Sequence, residues 1–236
     1  MPTATFFGLP EDRRTRLVEE AITEFAERSY AEASLSQIVR RAGIAKGSLY
    51  QYFSDKLDLY RWLLAEEVPR RKREFLRQPA GPSEFWAALT HQIERGMAFL
   101  VKYPRLARIT AAAAHPAADA EVRGLHRAVC AAGTAELETL LRSGMRAGAI
   151  PKRREVAAVT QFVAAIIGPG LTAVVLSELG AELHEVLASE RLRRRLGPAR
   201  RKRLAQQAVA MIRGGLQGPR RKPRAQPAPH RLTNIE

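Results

Sequence analysis

The sequence predicts an all-α protein, and three observations carry that prediction. Apolar residues recur at helical spacing through most of the 236 residues. No alternating strand pattern of useful length and no internal repeat is present. The periodic runs are punctuated by breakers, at Gly43, Pro79-Ala80-Gly81-Pro82, Pro104 and Pro198. A hydrophobic content of 46% against 27% charged residues is that of a folded globular chain, and its length admits one or two domains. The single cysteine, Cys130, excludes an intramolecular disulfide framework and suits a reducing cytosol. The first residues lack a basic segment followed by an apolar run, so no secretory signal and a cytoplasmic location are expected.

The N-terminal run from Pro10 to Ser29 opens with Pro-Glu-Asp, which suits a first helical turn. Leu17, Val18, Ala21, Ile22 and Phe25 form its apolar stripe, with Arg13, Arg16, Glu20, Glu24 and Glu27 opposite. A second helix begins at Ser34, where Gln37 completes a capping-box pattern. Its stripe is Leu35, Ile38, Val39 and Ala42, and Gly43 ends it at a left-handed position. A third element, Ala45–Phe53, follows after a tight turn. Leu49 and Phe53 anchor it inward, leaving Lys46, Ser48, Tyr50, Gln51 and Tyr52 outward or sideways. Two short helices joined by a glycine turn form a helix-turn-helix unit, whose second helix enters the major groove. The outward set is chemically apt. The Gln51 amide can read a base edge, Lys46 can reach phosphate or guanine, and Ser48 and the tyrosines offer hydroxyls. Gly47 permits close approach, and Lys56 on the next helix would reach a phosphate. From spacing alone a helical hairpin with a solvated polar face remains open.

The run from Ser34 to Leu59, most specifically Gly43-Ile-Ala-Lys-Gly-Ser-Leu-Tyr-Gln-Tyr-Phe followed by Lys56, resembles the DNA-binding domain of the tetracycline-repressor (TetR) family. The resemblance covers about residues 8–64. It implies that Ser34 and Ser36 touch the DNA backbone, that Lys46, Gly47, Tyr50, Gln51 and Tyr52 contact DNA, and that Lys56 clamps a phosphate. Ser29 stands where the family usually has glycine, and Val39 where a smaller alanine is usual.

A fourth helix from Asp55 to about Arg77 carries Leu57, Tyr60, Leu63 and Leu64. Later helices are expected at Ser83–Lys102, after Pro104 to about Ala114, at Asp119–Ala147, at Arg153–Leu179 and at Pro198–Gly214. The run Val156–Ser177 holds no charged residue and is long enough to cross a membrane. Thr160, Gln161, its alanines and Gly168-Pro169-Gly170 favour a helix buried in a bundle instead, so no membrane partner is expected. Pro169 should kink or break that helix near Ala165. By resemblance, late helices of two subunits pack as a dimer interface, about 155–179 and 198–214.

The resulting organisation is a helix-turn-helix DNA-binding domain over 1–54, a connecting helix over 55–78, a helical effector-binding and dimerisation domain over 79–218 and a basic tail over 219–236. Net charge follows this division unevenly. Residues 1–78 carry 14 Lys/Arg against 12 Asp/Glu, residues 79–190 carry 11 of each, and residues 191–236 carry 14 against Glu236 alone. The overall +15 is therefore no argument for base reading, and the tail reads as disordered with either a non-specific DNA role or a solubilising one.

No catalytic motif, metal spacing or cofactor loop is found, so no catalytic residue, metal or cofactor is expected and the chain is read as a non-enzyme. His126 and Cys130 share a helix face but have no third ligand nearby. The resemblance implies an effector pocket, with Trp86, His91, Phe99, Tyr103, His115 and Phe162 as candidate liners and ordinary core packing as the alternative for each. The partners expected are a pseudo-palindromic operator, a small-molecule effector and a second copy of the chain. The leading function is a repressor released from its operator by that effector. Non-specific architectural DNA binding, assisted by the tail, is the alternative.

Overall fold

Apolar periodicity becomes helix throughout the computed structural model, which describes residues 1–77, 84–115, 118–151 and 154–217. The proline-rich stretch 79–82 and the basic tail 219–236 lie outside the described residues. The helices are α1 (Ala4–Phe7), α2 (Glu11–Glu27), α3 (Leu35–Ala42), α4 (Lys46–Tyr52), α5 (Lys56–Trp62), α6 (Val68–Leu76), α7 (Phe85–Lys102), α8 (Pro104–Ala114) and α9 (Ala120–Arg146). They continue with α10 (Val156–Ala165), α11 (Leu171–Leu179), α12 (Leu183–Ala188), α13 (Glu190–Arg195) and α14 (Pro198–Gln217). There is no strand among the described residues.

Helix ends follow local chemistry. The Ser34 hydroxyl accepts the Gln37 N–H at the start of α3, and Gly43 closes it with φ of 69°. A side chain there would be strained by about 1–2 kcal/mol. Asp55 caps α5 by accepting the Asp58 N–H at 2.7 Å. The connecting helix runs α5–α6 through a π-turn at Leu63–Glu67, where the Val68 N–H bonds the Leu63 carbonyl five residues back. Pro69, lacking an N–H, follows directly.

The same device answers the expectation for Pro169. The helix neither stops nor leaves helical geometry there: α10 and α11 are joined by a π-turn over Ile166–Gly170, with the Leu171 N–H on the Ile166 carbonyl. One extra residue per turn relieves the proline's clash with the preceding turn. Gly170 eases the packing at this point, because a Cβ would sit 3.0 Å from the Ala165 carbonyl oxygen, a tight contact.

Two apolar clusters form the core. The first joins α1–α6 to the far ends of α7, α8 and α9, through Phe99, Leu106, Ile109, Ala113 and Val122. It therefore runs across position 78, where the sequence suggested a boundary. The Tyr60 hydroxyl donates to the Ile109 carbonyl across this seam, and burial pushes its phenol up to about 12. The second cluster packs α7 against α9, α10 and α14, through Trp86, Leu89, Ile93, Leu141, Val163 and Leu204. At its edge the Phe85 ring occupies the space where a Gly144 side chain would stand, with atoms 2.6–2.9 Å from an ideal Cβ. The glycine makes room for the Phe85 ring of α7 against α9. Gly144→Ala is expected to destabilise by about 1–3 kcal/mol, seen as a lower urea midpoint with an unchanged slope.

Candidate nucleic-acid interface

Helix α4 is only seven residues long and cannot hold itself in place, so its neighbours must. Leu49 and Phe53 bury inward as their spacing requires, at 2% and 1% exposure. The N-terminal arm supplies a second hold that the sequence did not suggest. The Thr3 N–H donates to the Tyr52 carbonyl at 3.0 Å, and the Thr3 hydroxyl donates to the Gln51 carbonyl at 2.6 Å. These are orphan carbonyls of the last turn of α4. Phe6 anchors the arm, fully buried between the rings of Tyr52, Phe53 and Trp62 at centroid distances of 5.0–6.3 Å. The Met1 amine pairs with Asp58 on α5.

Helix α3 is fixed by a buried carboxylate. Glu24 was placed on the polar face of α2 by its spacing, yet it has no exposed surface. Its Oε1 accepts the Ser34 N–H at 2.9 Å, and its Oε2 takes Arg41 at 3.0 Å. The capping box is thus divided: Ser34 serves the Gln37 N–H, but Glu24, and not Gln37, serves the Ser34 N–H. Ser29, in place of glycine, costs nothing visible. Its backbone is not left-handed, and its N–H and hydroxyl both donate to Glu32, at 3.2 and 2.7 Å.

The outward set divides. Tyr50 is 56% exposed, Gln51, Gly47 and Ser36 are exposed, and Ser34 and Ser48 are half-buried. Among the described residues, and apart from its chain neighbours and its own helix backbone, no atom lies within 4 Å of where a Gly47 side chain would project. Lys46 opens α4 by its backbone; its side chain lies outside the described residues. Tyr52 departs from the expectation: only 7% exposed, its ring packs toward Phe6 instead of facing out. Lys56 is also committed inward. Its ammonium donates to the Ala31 and Ala33 carbonyls at 3.1 and 3.2 Å and lies 4.8 Å from the Tyr30 ring centroid. It ties α5 to the turn before α3.

The connecting helix is locked to α2 by Glu67, Arg70 and Arg71. Glu67 is buried, which opposes its ionisation, but hydrogen bonds from Arg70 and Arg71 outweigh this and hold its carboxyl below the usual range. Arg71 reaches on to Glu19 of α2 at 2.6 Å.

The six residues expected to line an effector pocket do not form one group, although Phe99 and Tyr103 meet with ring centroids 5.0 Å apart. Trp86 lies in the second core cluster, Phe99 in the first, and Tyr103 packs at the first cluster's edge. His91 is half-buried with Nε2 unpaired, and His115 caps α8 at the surface. Phe162 is 71% exposed, on the outer face of α10. The Trp86 ring thus belongs to a different core from those of Phe99 and Tyr103. No group of three or more metal-ligating side chains occurs among the described residues.

The family profile described as bacterial regulatory proteins, tetR family, matches residues 17–62, the stretch from α2 to α5. A TetR family transcriptional regulator from Chloroflexus aurantiacus J-10-FL superposes with a TM-score of 0.64 at 30% identity, over 91% of this chain and 98% of that one. The chain belongs to the TetR family. HbdR, an HTH-type transcriptional regulator of Aromatoleum sp. strain CIB, is 34% identical over 87 residues, 37% of this chain. The chain spans 35% of that relative's length. FadR from Bacillus subtilis, solved in complex with stearoyl-CoA, shares the fold with a TM-score of 0.57 at 21% identity, over 77% of this chain and 96% of that one.

Two outcomes test this geometry. Phe6→Ala is expected to cost about 3–5 kcal/mol in urea denaturation. Glu67 contributes stability above its unfolded pKa of about 4.3, which is lost as the pH falls through its lower folded value. Glu67→Gln should therefore flatten the acid limb of a stability–pH curve.

Proposed function

We propose that the protein is a homodimeric transcriptional regulator that reads a pseudo-palindromic operator with α4 and leaves it when a small molecule binds. The observation that carries this reading is the exposed surface of α4, Gly47, Tyr50 and Gln51, on a helix whose other side and whose end are held rigidly. Gln51 would read a base edge, while Lys46, Ser34, Ser36, Ser48 and Tyr50 would contact bases or backbone. Tyr52 and Lys56 would act chiefly by holding α4 and α5 in place. The domain plan of 1–54, 55–78, 79–218 and 219–236 serves this reading, with cytoplasmic DNA as the target.

A second copy is argued from the apolar helix α10–α11. Only 28% of its most apolar window is buried within one chain, and Phe162, Val174 and Met211 are exposed at 71%, 46% and 67%. The groove between α10 and α14, about 470 Å³, is lined by Val159, Phe162, Ile166, Met211 and Leu216. A bundle interface covers such a surface, and family membership favours that over a bilayer. Two recognition helices would then lie about 34 Å apart, one turn of DNA.

Stearoyl-CoA is the molecule bound by the Bacillus subtilis FadR; a large ligand of that kind is a reasonable first effector to screen here. Release requires that the effector bind the non-reading geometry more tightly, since a ligand indifferent to the two states shifts nothing. Repression is the simplest outcome of such an operator complex.

Selection of bound DNA from a random pool should enrich an inverted repeat with half-site centres about 10 bp apart; a pool with no enriched sequence would favour architectural binding. Gln51→Ala should relax one base position by about 1–3 kcal/mol. Phe162→Glu with Met211→Glu should give monomers in sedimentation and weaken operator binding.

A further inference from the structure

A cleft of about 460 Å³ opens where the connecting helix ends, lined by Arg71, Glu74, Phe75, Arg77, Arg95, Lys102 and Tyr103. Its carboxylate is already used, because Glu74 pairs with Arg70 at 2.7 Å. Arg71 is likewise engaged, by Glu67 and Glu19. The remaining cations, Arg77, Arg95 and Lys102, have no carboxylate in the ion pairs of the described residues. Two of them converge on one ring. The Arg95 guanidinium carbon lies 4.2 Å from the Phe75 centroid and the Lys102 ammonium 5.4 Å from the same centroid. Arg95 also donates to the Phe75 carbonyl, while its Nε is buried without a partner.

We propose that this cleft is the subsite for the phosphate groups of an anionic ligand, held by Arg77, Arg95 and Lys102. The proposal deepens the ligand-responsive reading by naming a chemical class for what binds. Clustered cations repel one another, and a phosphate that joins them removes that repulsion while accepting hydrogen bonds from their exposed N–H groups. The aromatic floor of Phe75 and Tyr103, backed by the buried Phe99, excludes water on one side and strengthens each charge interaction. Operator phosphates are a poor fit. From Lys56 to Leu76 the connecting helix spans about 30 Å at 1.5 Å per residue, so the cleft and α4 lie at its opposite ends. The position also gives the ligand a handle on the reader. Arg77 follows the last residue of α6, Arg95 and Lys102 sit on α7, and Arg71 at the rim bonds Glu19 of α2. Phosphate bridging Arg77 to Arg95 and Lys102 fixes the end of the connecting helix against α7, and it competes with Glu19 for Arg71.

Titration calorimetry on the full chain without DNA tests the assignment, using inorganic pyrophosphate, coenzyme A and pantetheine. Binding of pyrophosphate or coenzyme A is expected, weakened at least tenfold in Arg77→Gln and in Lys102→Gln. Coenzyme A alone would indicate an organic phosphate, pyrophosphate alone a free one. Absence of binding by both, equal binding of pantetheine and coenzyme A, or unchanged affinity in the two variants would overturn it. Arg95→Gln disturbs packing on Phe75, so the two exposed cations carry the test. Both variants should select the same DNA from a random pool as the unaltered chain, which separates failure of this subsite from failure of operator reading.

Discussion

Glu24 is a carboxylate with no exposed surface, and the geometry of the reading unit follows from how it is satisfied. Removing it from water costs several kcal/mol unless its oxygens find donors of good geometry. It finds them at both ends of α3: the Ser34 N–H at the start and Arg41 near the finish, with Arg28 at 3.4 Å from its own helix. Any rotation of α3 on α2 would strand a buried charge. The angle between the two helices is therefore set by an interaction that tolerates little slippage, and the tight turn at Gly43 passes that angle on to α4. The far end of α4 is then closed by Thr3 and Phe6, so a helix too short to be stable alone is held from two sides.

The same economy extends to the connecting helix. Its first turn is capped by Asp55 and tied by Lys56 to the turn before α3. Its middle sits in the first core, where Tyr60 bonds α8, and its last turns reach α2 through Arg71. The first apolar cluster belongs to both halves of the chain, so α8 and α9 cannot move without disturbing the packing of α2 and α5. Coupling between a ligand and the reading helix needs no special pathway in such a molecule; it needs only two packings of one shared core. The π-turns before Pro69 and around Pro169 show how helices carry a proline without breaking.

Much of this was legible in the sequence, and the reason is local. Helix-turn-helix chemistry is written in adjacent residues: a capping serine, a left-handed glycine, and inward Leu49 and Phe53 at fixed spacing. Helical periodicity likewise located α7–α11 and α14, but gave no range for the short α12 and α13. What escaped was long-range. Glu24 shares a polar face with Glu20 and Glu27, and nothing in its spacing says that Arg41 and Ser34 will bury it. Tyr52 and Lys56 match a DNA-contact pattern, but Phe6 and the Ala31 and Ala33 carbonyls claim them first. The grouping of the pocket candidates was hidden for the same reason, since aromatic residues at helical spacing cannot reveal which of two cores will take them. The helix α10–α11, by contrast, was readable as an uncharged run, but its burial was not, since only 28% of its most apolar stretch is covered within one chain.

The central claim is that the Glu24–Arg41 pair holds α3 in register on α2. A double-mutant cycle in urea denaturation, with Glu24→Gln, Arg41→Met and both together, measures that pair directly. Each single change should cost about 3 kcal/mol, and the double change should cost less than their sum by at least about 1 kcal/mol. Costs that add to within about 0.5 kcal/mol would contradict the account.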